Sequence, residues 1–77
     1  MNLKEGKNRY SYTVLDIELE RGLERRLEAL GLTRGARVQI LNNDKKGAMT
    51  VRFRGTRFAL GQRIARHILV KEGDENE

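Results

Sequence analysis

Cysteine, proline and tryptophan do not occur in this 77-residue chain, and histidine and serine occur once each, as His67 and Ser11. Without cysteine there is neither a disulfide framework nor a thiolate zinc site, the two staples on which domains of this size commonly lean. The core must therefore hold by packing alone. No apolar run is long enough to cross a bilayer, and no charged-then-apolar leader opens the chain, so the expected location is cytoplasmic. A single serine with no motif tying it to His67 argues against a nucleophilic triad. Paired carboxylates for acid–base work would need a cleft that sets their pKa values apart, and so short a chain scarcely has room for one. The eight glycines stand singly in turns, without the strand–loop–helix setting of a phosphate-binding loop. The chain is expected to be non-enzymatic.

What is present is charge, unevenly spread. Sixteen Lys and Arg against eleven Asp and Glu give a formal net charge of +5. From Gly35 to Val70 eight basic side chains face one acid, Asp44, a local net of +7, whereas residues 1–34 are nearly balanced. The closing run from Glu72 to Glu77 reverses the sign and offers nothing apolar to bury. Residues 72–77 are therefore read as a disordered acidic tail behind a single domain over residues 1–71.

Periodicity supplies the elements. From Arg9 to Leu19, Tyr10, Tyr12 and Val14 alternate in one phase while Leu15, Ile17 and Leu19 continue in the other, which predicts a strand with a bulge near Val14 and Leu15 that keeps both sets inward. Glu20 to Leu30 carries Leu23, Leu27 and Leu30 at helical spacing. Gly31 supplies the stop and Leu32 is placed to fold back onto the last turn. Gly22 weakens the first turn of that helix. Alternation then returns, with Val38 and Ile40 in one strand and Met49, Val51 and Phe53 in the next, separated by the turn-forming stretch Asn42 to Gly47. A second turn at Arg54-Gly55-Thr56 leads to a short strand from Arg57 to Leu60. A helical turn between Gly61 and His67 and a last strand from Ile68 to Val70 complete the chain. The fold class is mostly β: a small barrel of about five strands with one α-helix between strands 1 and 2.

The segment Arg26-Leu27-Glu28-Ala29-Leu30-Gly31-Leu32-Thr33-Arg34-Gly35 resembles the FeoA family's signature, a helix ending in Leu-Gly-Leu followed two residues later by Gly. Gly47, the strand Met49 to Phe53, Arg57-Phe58-Ala59-Leu60, and Ala65 through Ile68 to Val70 resemble its second signature. Arg34 and Ala48 stand where members of that family often carry proline, which bears on loop stiffness rather than on the fold. The resemblance implies an SH3-like barrel and a cytosolic accessory role in ferrous iron uptake, docking on the membrane transporter FeoB and regulating it.

Three surface features are candidates for function. Alternation turns Arg37, Arg52, Arg54 and Arg57 outward while Val38, Val51, Phe53 and Phe58 turn inward, giving a positive face for a protein partner, with the Leu23 surface of the helix as the other candidate contact. Asp16, Glu18 and Glu20 share one face at strand spacing and make a candidate weak site for Fe2+ or Mn2+, although a solvated strand edge is the plainer reading because no histidine or thiolate joins them. His67 is more simply a helix-end cap than a ligand, and Met49 a core residue. Two alternatives to the accessory role remain. A nucleic-acid-binding barrel is suggested by the basic half and weakened by inward aromatics. A metal-sensing regulatory module is suggested by the use of this barrel type in iron-responsive repressors. Self-association through Leu41 or Leu69 stays open.

Overall fold

Alternating apolar residues build five strands in the computed structural model, which describes residues 1–73. They are β1 (Ser11–Ile17), β2 (Arg37–Asn42), β3 (Met49–Phe53), β4 (Thr56–Leu60) and β5 (Ile68–Glu72). All pairings are antiparallel, in the order β4-β3-β2-β1-β5. Helix α1 (Arg21–Leu30) joins β1 to β2, and the single turn α2 (Gln62–Ala65) joins β4 to β5 at the two ends of the sheet. β5 reaches Glu72, one residue into the stretch read as tail, because Glu72 pairs with Tyr12. Gly73, the next residue of that stretch, donates its N–H to the Ser11 carbonyl, and residues 74–77 of the expected disordered tail lie outside the described residues.

The bulge falls where the phase of the sequence slips. Val14 pairs with Val70 and Asp16 with Leu69, leaving Leu15 as the extra residue. One inserted residue lets Val14 and Ile17 point to the same side, and both are buried. The expectation that Leu15 joins them is corrected: as the bulged residue it stands outside, 48% exposed. Tyr10 precedes the strand and is also half exposed, stacked on Tyr12.

Helix α1 runs regularly from Arg21 despite Gly22, and its end is a Schellman motif. The Gly31 N–H donates to the Glu28 carbonyl at 2.9 Å and the Leu32 N–H to the Leu27 carbonyl at 2.8 Å. This reversal swings Leu32 into the core beside Leu27 and leaves Leu30, expected on the inward face, exposed. Gly31 sits at φ 107, and a Cβ there would lie 1.9 Å from Cδ of Arg54. Gly31→Ala is expected to destabilise the fold by about 1–2 kcal/mol, seen as a lower urea midpoint at unchanged slope.

Two parts of the core carry little local sequence signal. A 3-10 turn at Leu3–Glu5, capped reciprocally by Asn2 and Glu5, inserts Leu3 with no exposed surface. Asn43, in the β2–β3 loop, is buried, and its Nδ2 donates to the carbonyls of Lys4 at 3.0 Å and Gly6 at 2.9 Å. Its Oδ1 accepts from the Lys45 N–H and from Nε2 of Gln62 in α2. One amide thus ties the N-terminal turn, the loop and α2 together.

A basic sheet face as the candidate functional site

Cross-strand register decides which outward side chains meet. Ser11 pairs with Gln39, Gln39 with Arg52, and Arg52 with Arg57, so these four form one row across the outer face. Arg37 lies in the neighbouring row, opposite Thr13, which in turn pairs with Lys71 of β5. Arg54 stands at φ 54 in the two-residue turn between β3 and β4, with its side chain lying across Gly31 at the end of α1. Arg37, Arg52 and Arg54, with Gln39, Phe53 and Gly55, line a shallow depression of about 310 Å³. Arg57 lies beyond it, beside Arg52.

Around Arg52, Arg54 and Arg57 the charge is of one sign among the described residues. Among the described residues no carboxylate lies within ion-pair distance of Arg52, Arg54 or Arg57. Arg37 Nη2 reaches Ser11 Oγ at 3.4 Å. Like charges directly opposite on an antiparallel pair oppose folding, so the Arg52–Arg57 pairing is not explained by stability. Beneath it, the Phe53 and Phe58 rings stack at 4.4 Å on the inward side, as their phase predicts. Val38 and Val51 are fully buried below the same strands.

The acids are placed differently. β1 ends at Ile17, so strand spacing does not extend to Glu18 and Glu20. The Glu18 N–H donates to the His67 carbonyl, and Glu20 stands at the N-cap position of α1, where its carbonyl accepts from the Glu24 N–H and its side chain makes no capping bond. Asp16 Oδ1 accepts from Arg34 Nε at 2.9 Å and Nη2 at 2.5 Å, and from the Ile17 N–H at 2.9 Å. Arg34 also lies 3.7 Å from Glu24. Among the described residues no group of three His, Cys, Asp or Glu is arranged to hold a metal ion. Asp16, Glu18 and Glu20 are thus not brought together as a ligand group among the described residues. His67 stands next to Arg66, whose Nε donates to its Nε2 at 3.4 Å, and Met49 is buried in the core.

The hydrogen bond from Arg34, followed by that from the Ile17 N–H, holds the Asp16 carboxyl below its ordinary 3.8. Asp44 is lowered in the same direction by the backbone N–H groups of Lys46 and Gly47. A carboxyl with a depressed folded-state pKa favours folding above its unfolded value and loses that contribution as pH falls through the folded one. The thermal midpoint is therefore expected to fall on acidification below about pH 4, and less steeply in Asp16→Asn. Scanning calorimetry across that range checks it.

Fold and face together define a small SH3-like β-barrel with a positively charged outer sheet. Among the described residues no helix is long and apolar enough to cross a membrane. The FeoA domain model matches residues 1–72, and the chain belongs to the FeoA family. That membership links it to ferrous iron transport. The chain is similar to the crystal structure of an iron uptake regulatory protein, FeoA, at 27% identity and a TM-score of 0.87, covering 95% of this chain and 97% of that one. It is also similar to FeoA of Stenotrophomonas maltophilia, described as a prokaryotic SH3 domain protein and solved in complex with zinc. That likeness is at 28% identity and TM-score 0.80, over 92% of this chain and 89% of that one. A manganese-dependent transcriptional repressor in complex with manganese shares the fold, at 21% identity and TM-score 0.85. The likeness covers 95% of this chain but 36% of the repressor. Among curated proteins there is no match.

Proposed function

We propose that this domain is a non-enzymatic, cytoplasmic accessory protein of ferrous iron uptake that docks on the FeoB transporter and modulates it. Family membership supports the pathway. The observation that carries the docking role is the pair Arg52 and Arg57, set against each other on an outer sheet face with, among the described residues, no carboxylate within ion-pair distance of either. A one-signed patch held at some expense of stability is suited to steering and orienting an oppositely charged partner. The shallow depression lined by Arg37, Arg52 and Arg54 offers contact area rather than a reaction site. The same charge alone would also suit nucleic acid, but Phe53 and Phe58 lie on the opposite, inward side of the strands, so the arginines have no aromatic stacking platform beside them of the kind that single-strand binders use. Retention of the domain by the cytosolic part of FeoB, measured separately from the membrane part, tests the proposal. Salt-sensitive binding to the cytosolic part is the expected result.

A further inference from the structure

β4 is the outermost strand at one end of the sheet, and among the described residues it pairs only with β3. The hairpin fixes which of its backbone groups face outward. Phe53 and Thr56 close the two-residue turn made by Arg54 at φ 54 and Gly55 at φ 76, the geometry in which the closing pair exchanges both hydrogen bonds. Bonded and non-bonded pairs alternate along an antiparallel ladder, so Val51–Phe58 and Met49–Leu60 are bonded while Arg52–Arg57 and Thr50–Ala59 are not. The N–H and C=O of Arg57 and Ala59 therefore point away from β3. Both residues are exposed, and among the described residues none of the loop and turn backbone bonds reaches them.

Open edges are commonly blunted by proline, a bulge or an inward charge. This one has an unbroken register from Met49–Leu60 to Phe53–Thr56, no proline, and the small Ala59 at its middle. Its charge decides what it accepts. Arg57 lies on the edge strand, Arg52 directly behind it, and Arg54 at the turn. A second copy pairing edge to edge would bring this cluster against itself, on a chain of net charge +5. An acidic strand meets the opposite condition.

We propose that β4 accepts an extended acidic segment of a protein partner by strand addition. Its backbone bonds to the free groups of Arg57 and Ala59, and its carboxylates lie on Arg57, Arg52 and Arg54. Arg and carboxylate make charge-assisted, often bidentate bonds, which set the orientation, while the edge supplies the main-chain bonds. The partially buried Phe58, stacked on Phe53, is the surface met by the segment's alternate side chains. The inference rests on the reading of this face as a docking surface and adds the mode and the chemistry of the partner.

The test titrates the intact, isotope-labelled chain with a blocked peptide alternating glutamate with threonine, and with its lysine–threonine counterpart. The acidic peptide is expected to slow amide exchange at Arg57 and Ala59, and the lysine peptide to leave both unchanged. Ala59→Pro removes an edge donor without touching a ladder bond and is expected to weaken binding on the order of tenfold. N-methylating the peptide on one alternate set of amides is expected to abolish binding, and on the other set to leave it intact, a result independent of how any variant folds. Binding indifferent to both N-methylation patterns and to Ala59→Pro overturns strand addition, as does equal binding of the lysine peptide or self-pairing of the chain. Full retention of FeoB's cytosolic part by Ala59→Pro also overturns it while leaving the docking proposal standing.

Discussion

Replacing Arg52, Arg54 and Arg57 together by glutamate is expected to weaken docking on the cytosolic part of FeoB by on the order of 100-fold or more, since like charges set against each other across an interface cost several kcal/mol. Arg52 and Arg57 are exposed and make no ion pair among the described residues, so their loss leaves no buried group stranded. The single variant Arg57→Glu separates function from folding. It places a carboxylate opposite Arg52, where the ladder now sets two guanidinium groups. Opposite charges at such a position favour the fold by about 0.2–1 kcal/mol. Arg57→Glu is thus expected to raise the urea midpoint slightly while lowering affinity for the transporter. A purely structural role for this arginine would move both readouts together.

Asn43→Ala is expected to lower stability by about 3 kcal/mol. Four hydrogen bonds from its side chain disappear at once, and the Gly6 carbonyl, which it meets at 2.9 Å in a buried setting, is left without that donor. Leaving a buried polar group unpaired costs about 1–3 kcal/mol, and here both Gly6 and Gln62 are affected. Domains of this length have roughly 4–12 kcal/mol in total, so the loss is a large share. Urea denaturation followed by circular dichroism reads it directly. A change below about 1 kcal/mol would mean that water or a rearranged Gln62 replaces the amide.

Local periodicity explains which features were legible in the sequence. The bulge in β1, the stop of α1 at Gly31, both hairpins and the short α2 each arise from residues within a few positions of one another. Sequence pattern also placed Arg37, Arg52 and Arg57 outside and Val38, Val51 and Phe53 inside, because alternation on a strand fixes the face. The missed features depend on distant partners. Asn43 bonds to Lys4 and Gly6, more than thirty-five positions away in the chain. The N-terminal turn that receives it is too short and polar to show a period. Spacing alone points Leu30 and Leu15 inward, because it cannot tell a residue at a helix stop or in a bulge from its neighbours. Spacing groups Asp16 with Glu18 and Glu20, whereas its partner is Arg34, brought across by the connection through α1. Nothing local indicates that Arg54 lies across Gly31.

The measurement that bears most directly on the docking role is a map of backbone amide perturbations on the labelled domain as the cytosolic part of FeoB is added. The account predicts that the perturbed amides cluster on β2, β3 and β4 around Arg37, Arg52, Arg54 and Arg57, and that the pattern fades with added salt. Perturbations confined to α1 around Leu23, or an unchanged spectrum at saturating transporter, would contradict it.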